Sequence, residues 1–211
     1  PGLVGSEMCI RDRINDAVTA SGTVDIDADT DNDGGTLTLA AALDATGGSN
    51  ITITASDVVM GSGSIDAGAN NLTISRSTTG VIDLGTGTDG LSLIDAELDN
   101  ITISGLLTIG GSNTTTLTVD GWSMETTITG NATLVANDAT SGSIVFSGTA
   151  SSILRGLTLN AAEGVTLSAD LTTATAATTA MTVDADTDTD NGTFTISDGV
   201  TLTTTNSALS I

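Results

Sequence analysis

The chain has no histidine, no tyrosine and no lysine; its four basic residues are all arginines, Arg11, Arg13, Arg76 and Arg155. Most general acid–base and nucleophilic schemes therefore lack their usual groups, and the sequence reads as that of a non-enzyme. Aromatic residues number three, Trp122, Phe146 and Phe194, so neither stacking platforms for sugars nor a core built on large rings is expected. Trp122 follows Val119-Asp120-Gly121, which reads as a turn position at the end of a strand. No run approaches the roughly 18 apolar residues that cross a bilayer as a helix, and direct membrane insertion is not expected. Against four arginines stand 26 acidic residues, a net charge of −22. Phosphate backbones and anionic lipid repel such a chain, which excludes nucleic acid. Divalent cations, basic surfaces or other copies of the chain are the partners that remain.

The single cysteine, Cys9, lies in an N-terminal stretch unlike the rest. Residues 1–13 also hold Arg11 and Arg13, and the run Leu3-Val4-Gly5-Ser6-Glu7-Met8-Cys9-Ile10-Arg11-Asp12 resembles one translated frame of a sequencing-library adapter. It has no basic start followed by an apolar stretch, as a signal peptide would. Residues 1–13 are read as a non-native segment and residues 14–211 as the repeat region. The latter has no cysteine, hence neither disulfide nor thiolate chemistry.

What is present is a short unit, apolar–Thr–apolar. It occurs as Leu37-Thr38-Leu39, Ile51-Thr52-Ile53, Leu72-Thr73-Ile74, Leu107-Thr108-Ile109, Leu157-Thr158-Leu159 and several more times. Alternation with period two in β-branched residues marks a strand with one buried face. Gly, Asn, Ser and Asp between the units supply turns. Residues 171–181, rich in Ala and Thr, fit helix or strand. Hydrophobic residues make up 38% of the chain, and being Leu, Ile, Val and Ala they suit a narrow core.

Longer self-similarity lies above this unit. Leu72-Thr73-Ile74 is answered by Leu107-Thr108-Ile109 after 35 residues, and Ile26-Asp27-Ala28-Asp29-Thr30-Asp31 aligns without a gap with Val183-Asp184-Ala185-Asp186-Thr187-Asp188. Such repeats point to a stacked repeat architecture. A propeller needs aromatic punctuation in each blade, so the expectation is all-β: a parallel β-helix (β-solenoid), an open-ended fragment whose uncapped edges invite association. Coils of about 17–18 residues would place two coils between Leu72 and Leu107 and nine between Ile26 and Val183. Asn50, Asn71, Asn100, Asn113, Asn131 and Asn191 stand in Asn-x-Thr patterns. These fit glycan acceptors or, more economically, coil corners with a left-handed backbone that bond to neighbouring coils.

Residues 71–121, above all Leu91-Ser92-Leu93-Ile94-Asp95-Ala96-Glu97-Leu98-Asp99-Asn100-Ile101-Thr102 and Leu106-Leu107-Thr108-Ile109-Gly110, resemble repeats of large bacterial surface proteins of the filamentous haemagglutinin type. Residues 183–196 are similar to repeats of the same kind. The resemblance implies a right-handed parallel β-helix, export through an outer-membrane pore, a secreted or cell-surface location, and a role in adhesion or as an extended stalk. Its implied partners are host or neighbouring cell surfaces.

One constellation carries possible chemistry. Asp27, Asp29, Asp31 and Asp33, before Gly34, are echoed by Asp184, Asp186, Asp188 and Asp190, before Asn191-Gly192. Alternate carboxylates ahead of a glycine turn can converge on one Ca2+ when the chain curls. Counted from Asp29 or Asp186, loop position twelve is Ala40 or Ser197, so neither copy is an EF-hand, which needs Glu there. The other reading is a solvated acidic turn that keeps the array soluble and blocks edge pairing. The calcium reading makes the chain a calcium-stabilised spacer for a separate effector or polysaccharide-acting domain.

Overall fold

The computed structural model describes residues 11–48, 50–124, 126–173, 180–189, 191–205 and 207–211. Its strands are joined in parallel pairs and are dealt in turn to three faces. The first face is one sheet of eight strands: Val24–Asp27, Ile51–Ala55, Leu72–Arg76, Leu107–Gly111, Ala132–Ala136, Leu157–Ala161, Ala180–Asp184 and Ala208–Ser210. A second face begins with Arg11–Ile14, which runs across the boundary drawn at residue 13, then Thr36–Leu39 and Asp57–Val59. It continues through Leu91–Ile94, Gly80–Gly85, Thr114–Asp120, Ser143–Phe146, Gly164–Leu167 and Thr193–Ile196. A third face carries shorter strands, among them Leu43–Asp44, Ile65–Gly68, Ile101–Ile103, Ser151–Ile153 and Leu171–Thr173. The chain is thus all-β with parallel sheets, of the β-solenoid class.

Register makes the core. Pairing sets Leu72 beside Leu107 and Ile74 beside Ile109, and continues through Leu134 and Leu159 to Val183. On the first face from Ile51 to Val183 the aliphatic residues of each triplet point inward and are buried, while the Thr between them points out and is half-buried; in the last coil the cover thins, and Ile196 is exposed. Each inward Leu or Ile contributes about 1.5–3 kcal/mol when covered, and only the coils before and after it can cover it.

Coil length departs from the sequence expectation. Leu72 and Leu107 pair directly, so the 35 residues between them are one coil, not two. Ile51 to Leu72, also direct partners, takes only 21. Val183 accordingly lies six coils beyond Ile26, not nine. The long coil has room because it lays two strands on the second face. Gly80–Gly85 and Leu91–Ile94 pair in parallel, Ile82 opposite Leu91, joined by residues 86–90 alone. Parallel neighbours usually need a crossover of about a dozen residues. Five residues at about 3.3–3.6 Å each just span the return. Asp83 holds this link by accepting the Asp89 N–H (2.9 Å), and Ser92 Oγ donates to Gly87 O (3.0 Å).

Short helix Asp95–Leu98 follows in the same coil and fastens it on both sides. Glu97 accepts the N–H of Met60, one coil back (2.8 Å), and Asp95 accepts that of Ser123, one coil on (2.8 Å). Across the fold, carboxylates repeat this reach. Asp57 accepts from Ser92 N, Asp120 from Thr149 N and Asp170 from Thr201 N.

The asparagines behave as corner residues of a different kind. Asn50 Oδ1 accepts the Asn71 N–H (3.0 Å), Asn71 Oδ1 that of Leu106 (3.0 Å), and Asn131 Oδ1 that of Gly156 (3.2 Å). Bonding between coils is as expected, but the left-handed backbone is not. Asn50, Asn71, Asn100, Asn113 and Asn131 all lack positive φ, and only Asn191 (156°) has it. Asn50, Asn71 and Asn131 supply a side-chain carbonyl to the next coil, Asn113 donates its amide to Arg76 O and Ser77 O one coil back, and Asn100 donates to Ala96 O in its own coil; none of this needs a special φ.

Trp122 follows the strand end, as expected, and is in addition fully buried, the largest side chain of the core. Between Ile101–Ile103 and Ser151–Ile153 the third face is reduced to isolated bridges, Ile103 with Ile128 and Ser123 with Ser152. Trp122, Met124 and Phe146 fill the core cluster at this level. The ambiguous residues 171–181 are strand at both ends, and residues 174–179 lie outside the described residues.

Coverage by neighbours predicts the cost of core loss. Leu159→Ala, in the middle of the stack, should destabilise the chain by about 2–5 kcal/mol, whereas Thr158→Ala on the outer side should cost at most about 1 kcal/mol. Chemical denaturation of the two variants measures this, and equal losses would contradict the inward–outward assignment.

Candidate functional site

The acidic segments leave the first face and turn toward the second. Two copies, six coils apart, build the same turn. Asp27 Oδ1 accepts the N–H of Asp29 (3.1 Å), as Asp184 Oδ1 does that of Asp186 (3.3 Å). Asn32 N donates to Asp29 O (3.0 Å), as Thr189 N does to Asp186 O (3.2 Å). Both donors are left-handed, with φ of 58° and 70°. Gly34 N donates to Asp29 Oδ1 (2.9 Å), and Asn191 N to Asp186 Oδ1 (3.3 Å). The glycines that follow are forced by contact: a Cβ on Gly35 would lie 1.7 Å from Ala28 O, and one on Gly192 1.8 Å from Ala185 O. The repeated D-x-D pattern therefore encodes a turn in which the first carboxylate caps the N–H two residues on and the second caps the far side.

Among the described residues, one group of three carboxylates lies together: Asp29, Asp31 and Asp33, each with an oxygen within 4.8 Å of the others. Asp31 and Asp33 are exposed, as is Asp27, whereas Asp29 is 3% exposed. In the second copy Asp184 and Asp188 are exposed and Asp186 is half-buried; Asp190 lies outside the described residues.

Asp29 differs from its counterpart in what it meets. Its Oδ1 accepts from Asp33 N and Gly34 N (2.9 Å each), and its Oδ2 from Ser56 Oγ (2.8 Å) and from Ser77 Oγ. Four donors match the roughly four lone-pair sites of a carboxylate. Burial pushes the Asp29 carboxyl up. Hydrogen bonds from Ser77, from the Gly35 backbone, from Ser56 and from the Gly34 backbone outweigh it and hold the group well below the usual carboxylate range.

Ser56 and Ser77 stack on Asp29 because they stand two residues beyond Thr54 and Ser75, which register sets in line with Asp27, as Asp29 stands two beyond Asp27; Ala28, Ala55 and Arg76 are the residues between. Arg76 replaces the small residue of this corner. Its Nε donates to Thr78 O (3.1 Å) and its Nη1 to Ser56 O (2.9 Å) and Val81 O (3.2 Å). Gly80 and Gly90 leave it room, since a Cβ on either would come within 3.0 Å of the guanidinium. Burial lowers the Arg76 pKa, and the charges of Asp57 and Asp29 oppose that. Neither serine nor Arg76 was singled out from sequence as part of this cluster. The available signal was their position, three residues beyond Ile53 and Ile74 for the serines, as Asp29 is beyond Ile26.

Chemically, the arrangement offers a buried carboxylate saturated by protein donors and two exposed carboxylates beside it. It can hold the corner rigid, and its outer oxygens face solvent where a cation can approach. Comparison of the chain with protein-family models, with curated proteins and with solved structures finds no match in any of the three.

An unfolded Asp titrates near 3.9, and Asp29 in the folded chain titrates lower. Its contribution to stability is therefore present above about pH 3.9 and is lost as pH falls through the lower, folded value. Asp29→Asn should lower the melting temperature at neutral pH and make it fall less steeply with acid than in the unaltered chain. Thermal melts across the acid range check this; parallel curves would remove Asp29 as a source of acid sensitivity.

Proposed function

We propose that the chain is a structural and adhesive repeat segment of a secreted or cell-surface bacterial protein, wound as a right-handed β-helix and presented as an extended stalk. The observation that carries this is the continuous eight-strand parallel sheet of the first face with one apolar core packed behind it. Right-handed winding follows from the strong bias of parallel crossover connections. The resemblance of residues 71–121 and 183–196 to haemagglutinin-type repeats supports the surface location, and residues 1–13 are read as adapter-derived. A chain without histidine, lysine or tyrosine favours scaffolding over catalysis. Its net charge of −22 turns it from nucleic acid toward host surfaces, neighbouring cells or further copies. No helix among the described residues is long and apolar enough to cross a membrane. Beads coated with the chain should be retained on host or bacterial cell layers above beads carrying a charge-matched soluble protein. Equal retention would overturn the adhesive part of the reading.

A second reading, the calcium-stabilised spacer bearing a separate effector or polysaccharide-acting domain, is favoured by the cluster of Asp29, Asp31 and Asp33. Three carboxylates within 4.8 Å repel one another, and a divalent cation relieves that repulsion. Asp29 is already saturated by donors, so Asp31 and Asp33 are the residues that would bear the ion. On this reading, calcium titrated into the chain in a calorimeter gives at least one site tighter than about millimolar, within the range of extracellular calcium modules. An Asp31→Asn, Asp33→Asn variant gives none. Identical heats from the two would end the calcium reading.

A further inference from the structure

On the first face the outward side chains form straight rows. The central row holds six threonines on consecutive strands, Thr52, Thr73, Thr108, Thr133, Thr158 and Thr182. The row beside it holds Thr54 and Ser75 and, beyond the buried Gly110, Val135 and Asn160. Neither run carries a charged side chain. Carboxylates enter these rows only toward the ends of the sheet, at Asp25 and Asp27 on one side and Asp184 on the other. The other faces differ: Asp83 and Asp120 stand in the middle of the second, and Asp44 and Asp66 stand side by side on the third.

We propose that this neutral threonine face is a self-association surface, on which a second copy of the chain docks face to face with its axis reversed. The inference rests on the structural reading given above and deepens it by naming the surface and its occupant. Charge selects the occupant's route. Each copy carries −22, so contact through the second or third face brings carboxylates together, and the first face alone presents a row of six strands free of them. Shape selects the orientation. Rungs repeat every ~4.8 Å on both partners, and a two-fold contact is self-matching when the same patch meets itself. With axes reversed, rung one faces rung eight, which sets Asp25 opposite Ser210 and away from its own copy. The same symmetry sets Thr108 opposite Thr133 at the centre. A threonine hydroxyl both donates and accepts, so threonine rows can bond to each other.

Area sets the strength. Eight strands give a face about 34 Å long and about 17 Å wide, or roughly 1,100 Å² over both copies. That lies at the low end of specific interfaces, just below the ~1,200 Å² of standard ones, so the dimer is weak and reversible.

Sedimentation velocity of the full chain across the micromolar range tests this, beside two variants whose fold is checked by circular dichroism. Thr108→Asp with Thr133→Asp places carboxylates in the centre of the first face. Thr118→Asp with Thr166→Asp makes the same change on the second. The unaltered chain and the second-face variant should dimerise alike, and the first-face variant should associate at least about tenfold more weakly. If the aspartates prevent folding, crosslinking decides, with Cys9→Ser throughout. A mixture of Thr108→Cys and Thr133→Cys copies should form disulfide-linked dimers faster than a mixture of Thr108→Cys and Thr52→Cys copies. A chain that stays monomeric, a first-face variant that associates undiminished, or equal crosslinking in the two mixtures overturns the proposal. None of these results bears on retention of coated beads by cells, so failure here is distinguishable from failure of the adhesive reading.

Discussion

Everything in this chain depends on rung-on-rung register: the nearest neighbours of a residue are the residues at the same position one coil before and one coil after. Leu72 meets Leu107 and Thr73 meets Thr108, so like lies on like and a choice made once is repeated along the stack. Threonine between two aliphatics satisfies the rule three times over. It is β-branched and favours the strand, it presents a polar group to water, and it leaves its neighbours facing inward. Because a coil buries its inner side only against adjacent coils, the core is a column a few side chains across. Leu, Ile, Val and Ala fill such a column, and one Trp is accommodated where the third face thins to bridges.

The same constraint accounts for much of the acidity. Each corner leaves backbone N–H groups that no sheet partner takes, and buried donors must find an acceptor. Asp is short enough to reach across one rung. Asp57, Asp95, Asp120 and Asp170 each accept a backbone N–H from the next coil, and Asp44 and Asp66 cap their own turns two residues on. At Asp120 hydrogen bonds from the Thr149 backbone and from Thr86 hold the carboxyl below its ordinary range, and at Asp44 those from Thr46 do the same. A carboxylate used in this way must stay ionised, so the high negative charge is partly a by-product of turn chemistry. Asn performs the equivalent task at the corners before the first face without adding charge.

Strand positions, their inward and outward residues and the stacking of the acidic repeats were legible in the sequence, because period-two alternation and ungapped alignment report local geometry directly. Coil length was not. Similarity between Leu72-Thr73-Ile74 and Leu107-Thr108-Ile109 says that the two are stacked in register, and it is silent on how many turns the intervening chain makes. The chain here makes one turn and folds an extra strand back beside Gly80–Gly85, a detour held by Asp83, Arg76 and Glu97 rather than by any repeat. The burial of Trp122 was hidden for a related reason: a local reading of Asp-Gly-Trp sees the turn, while the core opening beneath it is set by the coils above and below. At the acidic cluster the spacing of the aspartates was plain, but the division of labour was not. Asp29 goes inward because Ser56 and Ser77, 27 and 48 residues away, supply hydroxyls to it.

Variation in coil length, from 21 residues at Ile51 to Leu72 to 35 at Leu72 to Leu107, is distributed unevenly around the solenoid. The first face keeps an unbroken sheet of eight strands, while the third face is interrupted between Ile103 and Ser151 and the second absorbs the inserted strand. A continuous sheet is needed somewhere, because parallel pairing along the whole stack sets the height of each coil above the last, and the side-chain bonds at the corners only reinforce it. Once one face supplies that rail, the others can lengthen, bulge or lose strands without shifting the coils beyond them. The corners leading away from the rail are therefore where such a chain can gain new side chains at little cost to the stack. The acidic turns and the Arg76 corner both stand at the exit from that face.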